Sequence, residues 1–407
     1  MALDWLQAAL AGHADPREMR KLFPWAEAMA ACPQDSLYHA EGDVWTHTGM
    51  VAARLEETDL SALPRHRQDA LRLAAWFHDV AKPETTEITW SEEEKRERVR
   101  QPYHAPKGAL VAWQALIDAG CDPLLARDVH ALVFWHQRPT HMLDQKGALS
   151  RIIRFTTETS ATTWADLLRF CASDQRGRIS PNVADGLLDL ELVAEMIREE
   201  SVNAGTDLLE EPWPFATPES RLRYCRGPAD GSPFFTPQAP GGSRVIILSG
   251  LPGSGKDFLA RTAFPDLPVV SLDVIREEMK VKPTDDQGRV RQAGLAQARV
   301  HLRQKRDFVW NATCLSRSVR QKISGLALDY DARVEYHALD VPLAVAQERN
   351  ARRSEPLPAH VIEGLALKRE PIGADEAHEV WSWNEALERR PVFGTCADQA
   401  EDDPSPA

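Results

Sequence analysis

No two cysteines form a Cys-x-x-Cys pair. Cys32, Cys121, Cys171, Cys225, Cys314 and Cys396 are scattered, so the sequence offers neither a thiolate zinc site nor a disulfide framework, and reduced, mostly buried thiols are expected. Long apolar runs are also missing. No stretch approaches the roughly 18 consecutive apolar residues of a membrane span, and the opening Met-Ala-Leu-Asp-Trp lacks the basic flank and apolar core of a signal peptide. A cytoplasmic protein without a membrane partner is expected. Positive charge is in deficit as well: 48 Lys and Arg stand against 61 Asp and Glu, a formal net charge of −13. That balance argues against a protein that coats long nucleic acid, which requires cationic neutralisation of the backbone, but not against one that grips a single strand end. No internal repeat is present.

The chain is 407 residues long, 43% apolar and 27% charged, which fits a soluble globular protein too large for one hydrophobic core. From about Trp5 to Glu200, Ala, Leu and Arg dominate and apolar positions recur at intervals of three and four, as in DALRLAAWFHDV at Asp69–Val80, so this half reads as all helix. Between Pro212 and Ser243 come seven prolines, then Gly241 and Gly242, with no apolar period. This reads as a connector, with Trp213, Phe215, Phe234 and Phe235 available to pin it. After Arg244, short β-branched runs alternate with helical stretches. Val245–Leu248, Val269–Leu272, Phe308–Trp310, Val334–Tyr336 and Glu379–Trp383 are the expected strands of a parallel sheet. The expected organisation is therefore two-domain: an all-α domain over residues 1–205, a linker over 206–243, an α/β domain with a parallel sheet over 244–395, and an acidic disordered tail over 396–407.

The sharpest local signal is Gly250-Leu-Pro-Gly253-Ser254-Gly255-Lys256-Asp257, which directly follows a predicted strand and opens a predicted helix. Glycines at this spacing let backbone N–H groups turn onto phosphate oxygens, the helix N-terminus adds its positive end, and Lys256 reaches the outer phosphates of ATP or another nucleoside triphosphate with Mg²⁺. The Ser or Thr that usually follows the lysine is replaced by Asp257. The strand ending at Asn311 likewise lacks the metal-orienting Asp of many such enzymes, so a carboxylate at Asp257 is expected to restore that charge. The next strand ends at Asp273, with Arg276 three residues along. Asp273 can take a proton from an attacking hydroxyl, and Arg276 can hold an acceptor phosphate; otherwise Asp273 is a helix cap. Arg349, Arg352 and Arg353 precede Pro356 and Pro358, a spacing that suits a lid over the triphosphate, with Arg352 read as an ordinary solvated side chain.

In these motifs the C-terminal half resembles the polynucleotide kinases of the P-loop phosphotransferase superfamily. The resemblance implies that Lys256 holds the phosphates, Asp273 is the general base, Arg276 contacts the acceptor phosphate, and Arg349 and Arg353 are lid arginines, with Arg353 on the transferring group. Asn311-Ala-Thr313 departs from the acid-bearing form of that family.

The helical half carries His47, the adjacent pair His78-Asp79 followed by Lys82, His104, His136 followed by Arg138, and Asp174, several of them beside bulky apolar residues where an unpaired polar group is costly. Neutral imidazoles with carboxylates suit divalent transition metals such as Mn²⁺, Ni²⁺, Co²⁺, Zn²⁺ or Fe²⁺, and separate helices can converge them on one point. A single histidine of this kind is more often a hydrogen-bonded core residue. The ordered series resembles the HD superfamily of metal-dependent phosphohydrolases. By that resemblance His47, His78, Asp79 and Asp174 are primary metal ligands, His104 and His136 are secondary, and Lys82 and Arg138 contact phosphate. His130 reads as structural, and His13, His39, His66 and His141 as surface residues. Ligands of this kind lower the pKa of a coordinated water, so phosphomonoester or cyclic phosphodiester hydrolysis is the expected reaction.

Together the two halves resemble the bacterial HD-Pnk family of end-healing enzymes. The resemblance implies removal of 3′-phosphate, 2′-phosphate or 2′,3′-cyclic phosphate from RNA 3′ ends and phosphorylation of 5′-OH RNA or DNA ends, with an RNA ligase as a candidate partner. Arg276, Arg317, Arg320 and the lid arginines favour an acidic polymer end. The acidic balance favours the alternative of an HD nucleotidase fused to a nucleoside or other small-molecule kinase, and a nucleotide sensor without turnover is a third reading.

Overall fold

The computed structural model describes residues 3–143, 147–228, 231–282, 285, 287–384 and 388–393; the expected acidic tail lies outside them. The chain separates into two compact units that divide between Trp213 and Pro214.

The first unit is built on the helices Val44–Glu56, Arg65–Phe77, His104–Asp118, Pro123–Trp135 and Trp164–Arg176, flanked by shorter ones and by the long Val183–Ala204. Large aromatic side chains fill its centre. Phe77 makes edge contacts with Trp5, Phe23 and Trp25, and Trp45 lies against Trp76, so the end of helix Arg65–Phe77 is fixed on all sides just before His78-Asp79. Asp43 caps helix Val44–Glu56 by accepting from the Thr46 N–H, and Thr163 with Asp166 forms a capping box on Trp164–Arg176.

This unit is not all helix, as the sequence predicts. Between Thr85 and His104 it inserts an antiparallel hairpin of β1 (Glu87–Ser91) and β2 (Arg96–Arg100), paired from Glu87–Arg100 to Ser91–Arg96. Its Glu and Arg residues carry helix propensity, but Ile88, Thr89 and Val99 are β-branched, and Lys95 takes a left-handed conformation (φ 52°) in the connecting turn.

The second unit is a six-stranded sheet in the order β4-β5-β3-β6-β7-β8, from β3 (Arg244–Gly250), β4 (Val269–Ser271), β5 (Phe308–Asn311), β6 (Arg333–Leu339), β7 (Glu379–Trp383) and β8 (Arg389–Pro391). The first five run parallel, at the positions the sequence predicts, and β8 adds an antiparallel edge. Helices cover both faces, so Val245, Ile246, Ile247 and Leu248 of the central strand are fully buried, which is why they read as a continuous apolar run. Chain order reverses direction at β3, with β5 and β4 on one side and β6 and β7 on the other. The C-terminal end of β3 is therefore where a ligand crevice is expected.

The segment expected as a connector is more ordered than its prolines suggest. Residues 206–213 join the helical unit, with Leu208 and Trp213 buried. Pro218–Arg226 forms a helix with Pro at its first position and the Thr217 hydroxyl accepting from the Ser220 N–H. Arg221 donates to the His378 carbonyl, which ties this helix into the α/β unit. Phe215 is buried as well, whereas Phe234 and Phe235 are exposed.

Candidate functional site

In the helical unit, all six residues of the His/Asp series come together in the buried interior, as two adjoining groups of ligand atoms. His47 comes from helix Val44–Glu56, His78 and His136 cap the C-terminal ends of Arg65–Phe77 and Pro123–Trp135, His104 opens His104–Asp118, and Asp174 lies on Trp164–Arg176. Asp79 is the hub. Its carboxylate lies 3.2 Å from His78 Nε2, 3.3 Å from His104 Nε2, 3.7 Å from His47 Nε2 and 4.0 Å from His136 Nε2. His47 Nε2 is 3.0 Å from Asp174 Oδ1. Two groups bring ligand atoms within 4.8 Å of one another: His47, His78 and Asp174, and separately Asp79, His104 and His136.

The backbone sets the ring orientations. Nδ1 of His78, His104 and His136 lies 2.9, 2.6 and 2.7 Å from the carbonyls of Ala75, Gln101 and Val133, each three residues earlier. A carbonyl only accepts, so each Nδ1 carries the proton and each Nε2 presents a lone pair to the centre. Burial pushes the His136 pKa down to about 3, keeping that ring neutral. Burial acts to raise Asp79 and Asp174, but their polar neighbours outweigh it, the His78 ring and the Lys82 ammonium at Asp79 and the Arg178 guanidinium and His47 at Asp174, and hold both carboxyls well below the usual range.

The donor set fits a divalent ion. The Nε2 atoms of His78 and His104 and Oδ1 of Asp79 are buried and make no hydrogen bond, a cost that coordination would remove, while Asp79 Oδ2 is met by the Lys82 ammonium. Lys82, itself buried, ion-pairs with Asp79 at 2.7 Å and donates to Gln34 Oε1 at 2.7 Å.

Two histidines expected at the surface, His39 and His66, are drawn partly inward. His39 is not an isolated surface residue: it lies half-buried with its ring 4.8 Å from that of His47, and its Nδ1 donates to Glu41 Oε1 at 2.8 Å. Arg178 pairs with Asp174 through Nε and Nη2, a contact one helical turn on from a motif residue that the spacing alone could have flagged. Arg138 is exposed, with its guanidinium over Phe134 and Trp135, 4.1 and 4.7 Å from the ring centroids. His66 is likewise drawn inward, 2.8 Å from Asp128, while His130 stacks on Phe134 as a structural residue.

In the α/β unit, β3 delivers Gly250–Lys256 to the sheet's C-terminal edge. Gly253 (φ 85°) and Gly255 (φ 106°) hold left-handed conformations, and a Cβ on Gly253 would meet the Ala346 carbonyl oxygen at 2.4 Å, so only glycine fits there. Lys256 Nζ donates to the Gly250 and Leu251 carbonyls, both at 2.8 Å, and burial pushes its pKa down to about 8. The Ser254 hydroxyl is buried without a hydrogen bond. Asn311 Nδ2 donates to Asp257 Oδ1 at 2.6 Å, which joins the two positions where the sequence departs from the usual pattern.

Asp273 is not the helix cap. Ser271 caps Leu272–Glu278, and Asp273 forms an ion pair with Arg276 at 2.5 Å. Arg349 lies on helix Leu343–Ala351, Arg353 is exposed just beyond it, and the buried Asn350 brackets Leu357 with two hydrogen bonds at the base of this loop. Arg352 pairs with Glu348 on the surface, as expected of a solvated side chain. Arg320 is fully buried, forked onto Glu376 and bonded to the carbonyls of Leu315, Glu370 and Pro371, so it is a structural residue and not a contact for a polymer. Arg317 pairs with Asp375.

A family model described as an AAA domain matches residues 245–372, a span that begins in β3 and includes the cradle, Asp273 and the lid arginines. That stretch of the α/β unit is therefore similar to an AAA domain. Among solved structures, this chain is similar to a gluconokinase from Sinorhizobium meliloti 1021, at 22% identity over 38% of this chain and 87% of that one, with a TM-score of 0.27. No curated protein matches. Among the described residues, no helix is long and apolar enough to cross a membrane.

Proposed function

We propose that the chain heals both ends of a broken RNA or DNA strand, the helical unit acting as a metal-dependent phosphohydrolase on 3′-terminal phosphates and the P-loop domain as an NTP-dependent 5′-OH kinase. The observation that carries the first half is the convergence of four imidazoles around Asp79, with Asp174 against His47 and the buried Nε2 atoms of His78 and His104 left without hydrogen bonds. His47, His78, Asp79 and Asp174 would hold one divalent ion, with His104 and His136 holding a second or the substrate phosphate. Such an ion supplies Lewis acidity toward the phosphoryl group and a more acidic water. The protein supplies the rest. Lys82 and Arg178 neutralise Asp79 and Asp174 in the free protein, and each becomes available to phosphate oxygens once another cation takes over that role.

In the P-loop domain, Lys256 is tethered to its own loop and would exchange two carbonyls for triphosphate oxygens. An acceptor phosphate would draw Arg276 from Asp273, freeing that carboxylate to accept the proton of the attacking 5′-hydroxyl. Asp257 and Asn311 would hold Mg²⁺, and Arg349 and Arg353 would close over the transferring group.

Two features favour a smaller acceptor: Arg317 and Arg320 are engaged within the domain, and the net charge is negative. One substrate decides between the readings. On an RNA bearing a 5′-OH and a 2′,3′-cyclic phosphate, the wild type is expected to process both ends, His78→Ala only the 5′ end and Lys256→Ala only the 3′ end. Labelling of free nucleosides with none of the oligonucleotide would overturn the repair reading in favour of a small-molecule kinase.

A further inference from the structure

The environment of His47 differs from that of the other three histidines. Their Nδ1–H groups rest on carbonyls three residues back in the chain. His47 Nδ1 instead faces Glu41 Oε1 at 3.0 Å, with the Gly177 carbonyl at 3.2 Å. Glu41 lies in the loop that leads into helix Val44–Glu56, and its side chain is almost wholly buried (1% exposed). His39 Nδ1 donates to its Oε1 at 2.8 Å and the Ile179 N–H to its Oε2 at 2.8 Å, and the His47 Nδ1–H, 3.0 Å from Oε1, is shared between Glu41 and the Gly177 carbonyl. Buried charge of this kind is costly unless fully bonded, and here it is fully bonded.

We propose that Glu41 is a positioning residue for the metal centre. It fixes the Nδ1–H tautomer of His47 so that Nε2 points at the ion it shares with Asp174, and His39 in turn holds Glu41. The inference rests on the metal-centre reading of the helical unit and adds to it a carboxylate–histidine relay. His39, Glu41 and His47 also bring three ligand atoms within 4.8 Å of one another, which makes a separate ion site the competing explanation. An ion held by that trio would take a carboxylate oxygen of Glu41 with one nitrogen of each ring, whereas the relay adds no ion to those held through His47 Nε2, so the stoichiometry of binding separates the two.

The test is direct titration of the metal-free, full-length protein with Mn²⁺ or Ni²⁺, using wild type, Glu41→Gln, Glu41→Asp and His39→Ala. Calorimetry gives affinity and stoichiometry, and thermal melting of each metal-free protein is the control for folding. The relay predicts that Glu41→Gln keeps the wild-type stoichiometry and metal-free melting temperature but binds more weakly by about 10- to 100-fold. Glu41→Asp regains part of that affinity, and His39→Ala loses less. Unchanged affinity in a folded Glu41→Gln protein would overturn the inference, as would loss of one whole ion equivalent in that variant, which would assign the trio as a separate ion site. Failure of the wild type to bind either ion would instead refute the metal-centre reading itself, so the two failures are distinguishable. Nucleotide binding by the P-loop domain stays at the wild-type level in every variant.

Discussion

Lys256 turns back on its own loop, and this has a consequence for how pH governs nucleotide binding. Burial holds its pKa at about 8, below the ordinary lysine value, so the ammonium is the main form at neutrality and gives way to the amine as pH rises through 8. Only the charged form attracts phosphate. Affinity for an ATP analogue is therefore expected to be flat from pH 6.5 to 7.5 and to weaken above 8, approaching tenfold per unit; a flat profile to pH 9.5 would contradict this. At the same scale, His47, His78, Asp79, His104, His136 and Asp174 were legible because each stands in a distinctive local motif. Glu41 and His39 were not, since a loop carboxylate gains meaning only when folding brings it against a particular ring. Arg320 was misread for the same reason: its partner Glu376 is 56 residues away in sequence.

At the scale of elements, the helical site depends on how closely two helices approach. Gly177 ends helix Trp164–Arg176 where a Cβ would lie 2.7 Å from Val51 Cγ2 and 3.0 Å from the Val51 backbone nitrogen, so alanine must push Asp174 away from His47. Gly177→Ala is expected to cost about 1–3 kcal/mol in urea unfolding and to weaken metal binding as well; loss of stability with unaltered metal affinity would show that the spacing is not what holds Asp174 in place. Strands β3 to β7 could be read from the sequence because β-branched runs leave an unambiguous pattern. The β1–β2 hairpin could not, because its charged residues imitate a solvated helix. Helix Pro218–Arg226 was hidden among prolines, although Thr217-Pro218-Glu219 is itself a helix start.

At the scale of the molecule, the two units give two independent ways to perturb the protein. On the proposed metal reading, a chelator should remove the stabilisation that a bound ion gives the helical unit and lower its melting temperature, leaving nucleotide binding intact. ATP with Mg²⁺ should raise the transition of the α/β unit, by about 2.7 kcal/mol at a hundredfold excess over Kd. Differential scanning calorimetry checks both, and a single transition moved equally by chelator and nucleotide would contradict the division.

Three of the four rings at the centre lean on peptide carbonyls, a support that no side-chain substitution can delete. On the proposed metal reading, selection for a different ion therefore has one accessible handle, the loop before helix Val44–Glu56. Laboratory evolution toward a different metal should accumulate changes at positions 39 to 41 before it touches the ligands themselves.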